Sequence, residues 1–386
     1  MNCNGYSNFF RSIRDQNTLV MDTISLKPAK GIPSCAPNIM QHEYIERIAG
    51  VERGAYRKDP ERVYDLYQRN IGVNVLDQYI PTNALTMGDK GYENTEHGAT
   101  TGAHEVICDG MLIDSPEAVA EHLEKIEFPR IRKAIESFNE DERTGSILES
   151  EMEIQKKLGS CVVKTGHGFV DFPKMAYMTY GYSNYFMAYG LYNDVIERHF
   201  SLQAELALLN NRAAVKAYTE GGLPPLFRLD HDMADSRGTL VDMRNLDRVW
   251  FPYFERCIEP LVKANVRLIW HCDGNLMQMV PRLIDVGVKG FQGFQYEDGM
   301  DYEKICSMKT RDGEDLIIWA GVSVTRTLPF GKPSDVKREM EWLVEKGPKT
   351  GLFLKTSSSV APGVPWENIK TMIEGFKYYQ KNGRAA

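Results

Sequence analysis

The chain has 386 residues, 42% hydrophobic and 26% charged, an ordinary composition for a globular protein. Its net charge of -7 argues against a nucleic-acid surface, and no apolar run is long enough to span a bilayer. The N-terminus, Met1 to Arg14, lacks the apolar centre of a secretory signal, and seven scattered cysteines form no CxxC pair, so a reduced, cytoplasmic protein without a disulfide framework is expected.

In chain order, the first part is irregular to about Pro129. Within it, Val73 to Tyr79 is a candidate early strand, and the Gly-, Thr- and His-rich stretch from Gly88 to His104 reads as a long loop. Ser115-Pro116-Glu117-Ala118 starts a helix, with serine as N-cap, proline at the first helical position and an early acid. From about residue 160 the pattern becomes regular. Strands are expected at 161–164, 225–229, 266–270, 290–294, 316–320 and 351–354. Helices are expected between them, at 193–220, 246–264, from Leu276, at 302–308, around 336–344 and at 366–380. The segment from Phe169 to Tyr192 is dense in aromatic residues, which suits either a ring-binding wall or core packing.

Strands alternating with helices imply a parallel sheet with right-handed crossovers. Six strands are clear and two more lie earlier, so the pattern fits a closed (β/α)8 barrel or, with fewer units, an open doubly wound sheet. No GxGxxG fingerprint supports a dinucleotide site. Polar clusters recur just after strands: Asp230-His231-Asp232, His271 to Asn275, Gln295 to Asp298, Ser323, and Thr356 to Ser359. A barrel brings all of them to one rim.

The most telling of these is His271-Cys272-Asp273-Gly274-Asn275, between an apolar strand and a helix. An imidazole, a thiol and a carboxylate there suit metal binding or proton transfer. They suit a purely hydrogen-bonded turn as well. Strand alternation expects His271 and Asp273 on one side and Cys272 on the other.

Together these segments resemble the uroporphyrinogen decarboxylase superfamily. The match runs from about residue 60 onward. Asp232 to Leu240 is similar to the family segment after its fifth strand, and His271 to Asn275 to its H-x-C/D-G-N/D turn. Residues 284–290 (IDVGVKG) resemble its "IDAGVDG" stretch. Thr327 to Gly331 and Pro365 to Ile369 resemble its closing "TLPFGTP" and "PPENI" segments. The resemblance implies a (β/α)8 TIM barrel over 61–386, preceded by an irregular or helical extension over 1–60.

Two chemistries come with that resemblance. Tetrapyrrole decarboxylases carry an Arg-rich "RQAGRY" loop and a late "GHG" histidine. Here no such loop is found, and Lys355 to Ser359 stands in the place of the histidine. The other branch transfers methyl groups to or from a cobalamin carried by a separate corrinoid protein, generally with zinc. Its ligand set resembles His271, with Asp273 in place of one cysteine and a serine near Ser358 in place of the other. Such a site suits polarising an ether oxygen more than activating a thiol.

The resemblance therefore implies a corrinoid-dependent methyltransferase that O-demethylates a methoxylated, aromatic donor. His271, Asp232 and Asp273 are the expected catalytic residues. Zinc is expected on His271, Asp273 and Glu297, and substrate at Tyr177, Tyr180, Asp230 and His231. The partner would be the corrinoid protein, with no nucleic acid or membrane involved and a homodimer admissible. The alternatives are uroporphyrinogen-type decarboxylation, methyl transfer from the corrinoid to an acceptor, and a non-catalytic binding barrel.

Overall fold

Strands that are apolar on both faces need strands beside them and helices outside, and the alternation of this chain provides both. The computed structural model describes residues 3–82 and 106–384. Seven strands carry the ring: β1 (Val75–Leu76), β2 (Val163–Lys164), β3 (Leu226–Asp230), β4 (Arg267–His271), β5 (Gly290–Gln292), β6 (Ile317–Val322) and β7 (Leu352–Thr356). β3 to β7 form one parallel sheet in sequential order, and β1 pairs with β2 in parallel. A parallel bridge between Gly166 and Phe227 joins the two sheets. On the other side the extended residues 34–35 bridge both β7, through Ser34 and Leu354, and β1, through Cys35 and Val75. Residues 34–35 are thus the eighth stave, and the ring closes.

This closure corrects the expected division at residue 60. The first sixty residues supply one stave and the floor of the barrel, not an extension. Helices Asn4–Gln16 and Thr18–Ile24 place Ile13, Val20 and Ile24 under the ring. There they pack on one inward layer, with Cys35, Val75, Val163, Leu226, Ile269, Ile317, Trp319 and Phe353 contributed around the staves. The outward faces pack on the crossover helices in a second, larger core. Counting from residues 34–35 also makes β3 the fourth stave, so Asp232 to Leu240 follows the fourth and not the fifth.

Most expected elements are found within a few residues. Ser115 caps helix Pro116–His122, its hydroxyl accepting from the Ala118 amide at 3.1 Å. Two expected helices are cut by proline. The helix expected over 246–264 is two, Met243–Val249 and Phe251–Lys263, since Pro252 at the start of the second has no N–H to continue the first. The helix expected from Leu276 begins at Val280, with Pro281 in its first turn for the same reason. The expected loop from Gly88 to His104 lies outside the described residues. Among the described residues no helix is long and apolar enough to cross a membrane.

Candidate active site at the carboxyl end of the barrel

Inward positions alternate along each stave. One step above the apolar layer the same strands turn charged. β3 presents Leu226, then Arg228, then Asp230. β7 presents Phe353, then Lys355, and the chain after β1 presents Asp77. Asp77 is the hub. Its Oδ2 accepts from Arg228 Nε at 2.5 Å and its Oδ1 from Lys355 Nζ at 2.9 Å. Lys355 also lies over the Trp319 ring, 4.6 Å from its centroid. Arg228 reaches upward to Asp230 at 2.9 Å, and His167 stands 3.6 Å from the same carboxylate. Burial alone would raise the Asp77 carboxyl, but Lys355 and Arg228 outweigh it and hold the group well below the usual range. Burial likewise opposes ionisation of Asp230, and His271, His167 and Arg228 together keep it ionised.

Above this layer sits the turn from His271 to Asn275. Gly274 has φ +84, and a Cβ there would lie 2.7 Å from the Asp235 carbonyl oxygen. The short hairpin of Ala234–Asp235 and Gly238–Thr239 therefore packs directly on the turn, and Asn275 N–H donates to the same carbonyl at 2.8 Å. Alternation holds as expected. Cys272 points away, its Sγ receiving the Met233 amide at 3.2 Å and lying 2.9 Å from the Asp273 carbonyl. Burial pushes that thiol well above its usual range.

His271 and Asp273 face the barrel axis and meet Asp232, which arrives from the loop after β3. One ligand atom from each of the three lies within 4.8 Å of the others. His271 Nε2 is 3.9 Å from Asp273 Oδ1. Asp232 Oδ1 accepts from the Asp273 amide at 2.7 Å, and Ser358 Oγ donates to Asp273 Oδ2 at 3.1 Å. Asp273 Oδ1 is buried without a partner. Burial raises the Asp232 carboxyl; His271 opposes the shift and neighbouring Asp273 adds to it. An imidazole and two carboxylates crowded this way, with one orphaned oxygen, are short of positive charge. Three nitrogen and oxygen donors with an open side fit a catalytic zinc ion.

Tyr177 and His231 frame the site. The Tyr177 hydroxyl donates to the Asp232 carbonyl at 2.7 Å, and its ring stacks on His231 with centroids 5.6 Å apart. His231 Nε2 accepts from the Met175 amide at 3.0 Å, which puts the ring proton on Nδ1. Burial, helped by Lys174, lowers its pKa to about 3. His231 is therefore a neutral strut behind Tyr177. A cavity of about 130 Å³ opens beneath His271, lined by Asp77, Arg228, Asp230, Gln292, Lys355 and Ser358 among others. A second chamber of about 240 Å³ shares Arg228 and Asp230 with it and is walled by Phe172, Phe227, His167 and Lys174.

Two expected residues fall elsewhere. The Tyr180 hydroxyl is 2.9 Å from His122 Nδ1, and its ring stacks on Tyr185, in a cluster against Asp109 that lines neither chamber. Glu297 does not join the ligand group. It sits on a short turn, Tyr296–Asp298, where Ser323 Oγ donates to it at 2.9 Å and Thr325 also binds it. The cause is backbone: β5 ends at Gln292, and Gly293 at φ +94 bends the chain so that strand alternation stops before Glu297. Asp232 takes the expected place of Glu297. Sequence reading missed the layer of Asp77, Arg228 and Lys355. Its signal was a lone basic residue at an inward position of an otherwise apolar run, in Leu226-Phe227-Arg228-Leu229 and Leu352-Phe353-Leu354-Lys355.

Residues 231–379 match the family described as uroporphyrinogen decarboxylase (URO-D). Among solved structures, a methyltransferase from Methanosarcina mazei is similar over 94% of this chain and 98% of its own, with a TM-score of 0.57 and 16% identity. A B12-independent methionine synthase from a Shewanella species is similar over 91% of this chain and 97% of its own, at 8% identity and a TM-score of 0.45. No curated protein matches in sequence. The first likeness is one of fold, and the second carries no further argument.

Proposed function

From a uroporphyrinogen decarboxylase family domain over residues 231–379, set in a barrel that spans the described chain, we propose a methyltransferase. Its donor is a methoxylated aromatic compound, and its acceptor is the corrinoid of a separate protein. The observation that carries this reading is the group of Asp232, His271 and Asp273, whose donor atoms lie within 4.8 Å of one another, with His271 on the cavity that shares Arg228 and Asp230 with the aromatic-walled chamber.

The residues divide the work. Phe172 and Phe227 offer faces and edges to an aryl ring. Tyr177, packed between His231 and Tyr182, lines neither chamber and acts through its hydroxyl, which donates to the Asp232 carbonyl. His271, Asp273 and Asp232 are the groups that would hold zinc, which supplies Lewis-acid polarisation of the ether oxygen when bound. The methyl carbon leaves without the electron pair of its C–O bond, which stays on that oxygen, while the corrinoid supplies the nucleophile. The chambers, at about 130 and 240 Å³, hold a small aromatic but not a corrin macrocycle, which supports an acceptor presented from outside.

Decarboxylation of a tetrapyrrole is not supported. The smaller cavity does contain cations, Arg228 and Lys355, but Asp77 and Asp230 already pair them. The test is direct. The protein is incubated with a panel of methoxylated aromatics and a reduced corrinoid protein, and corrinoid methylation is followed by its visible spectrum. Spectral change with at least one donor, lost in His271→Ala, is the expected result. No methylation across a broad panel sinks the proposal.

A further inference from the structure

Two buried polar atoms with complementary chemistry stand unpartnered on residues paired across adjacent strands. His271 on β4 and Gln292 on β5 are paired in register on adjacent parallel strands, so their side chains leave the sheet on the same side. Both are buried and both line the smaller cavity. The Gln292 amide is fixed by its Nε2, which donates to the carbonyls of Ser357 at 2.9 Å and Thr356 at 3.3 Å. That leaves Oε1 as an acceptor with no donor. His271 Nδ1 is equally buried and equally without a partner. Its other nitrogen, Nε2, is the one that lies 3.9 Å from Asp273. A glycine follows Gln292, and a Cβ at Gly293 would come within 2.6 Å of Nδ1, so the ring rests against bare backbone on that side.

We propose that Gln292 is the positioning residue of His271. Nδ1–H donates to Gln292 Oε1, which fixes the ring proton on Nδ1 and presents the Nε2 lone pair to the space between Asp232 and Asp273. A ligating histidine needs an acceptor of this kind to set its tautomer and ring angle. No carboxylate or carbonyl does this for His271 among the described residues, whereas Gln292 has an unused acceptor one strand away. This inference rests on the metal reading above and adds a residue to it.

The experiment titrates the full-length protein with Zn²⁺ alone, against a chromophoric chelator. It also records the ¹⁵N spectrum of labelled histidine in the zinc-free protein. Gln292→Leu is expected to weaken zinc about 10- to 100-fold and to turn the His271 signal from the Nδ1–H tautomer into a mixture. Gln292→Glu keeps an acceptor and is expected to retain both the tautomer and the affinity within a few-fold, which covers the case of a poorly folded leucine variant. A wild-type affinity and tautomer in Gln292→Leu, or loss of both in Gln292→Glu, overturns the inference. If only that happens while His271→Ala abolishes binding, the metal reading survives. If wild type binds no zinc, the metal reading falls, and the zinc-free spectrum still decides whether Gln292 holds the proton on Nδ1.

Discussion

The lower and upper halves of the barrel interior are built from the same strands, two residues apart, and behave as different materials. Below, Val75, Leu226, Ile269 and Phe353 close a dry layer over the N-terminal helices. Above, Asp77, Arg228, His271 and Lys355 fill the equivalent positions. The lower half loses nothing by being apolar, since packing is all it must do. The upper half buries ion pairs, a kind of contact that apolar residues of similar volume often replace without loss of stability.

The largest break in that contrast is His271→Ala. Methyl transfer is expected to fall on the order of 10²- to 10⁴-fold, with the thermal midpoint nearly unchanged, as read by corrinoid methylation and by calorimetry on the same sample. Asp77→Ala should do the reverse of a silent change: it leaves the buried Lys355 without a carboxylate and Arg228 with Asp230 alone, and is expected to cost about 3–5 kcal/mol of stability, measured by urea unfolding. In the lower layer Leu226→Ala is expected to cost about 2–5 kcal/mol while zinc affinity stays at the wild-type value. A loss of zinc there would show that the two halves are not independent.

The smallest effect is one of sign. Asp77 ionises more readily folded than unfolded, so its contribution is complete above the unfolded carboxyl range, near pH 4, and disappears as pH falls through its lower folded value. Asp232 is raised, so its contribution is complete below about pH 4 and is lost as pH rises through its folded value. Asp232→Asn is therefore expected to be more stable than wild type at neutral pH, with the gain shrinking below about pH 4. A variant less stable at every pH would mean that Asp232 is a structural carboxylate.

How far the sequence could be read follows from range. Apolar runs such as Leu316 to Ala320 announce strands because every residue in them is buried, and β6 is found there. The HCDGN turn was legible because strand alternation is local, and His271, Cys272 and Asp273 obey it. Residues 34–35 were not legible: a two-residue stave between Pro33 and Pro37 offers no periodicity, and only its bridges to β1 and β7 reveal it. The pairing of Arg228 and Lys355 was not legible, because their partner, Asp77, lies 151 and 278 residues away. Glu297 was misplaced because one glycine dihedral, at Gly293, ended the strand early.

The bridge between Ser34 and Leu354 also has a meaning for how the chain reaches this state. A ribosome releases residue 34 long before residue 354, so this bridge is the last of the ring to form. Until then the growing polypeptide carries an unsealed seam, with the backbone groups of residues 34–35 and of its latest strand open to any neighbour. Such distant pairing slows self-assembly and favours protection of the nascent protein during synthesis.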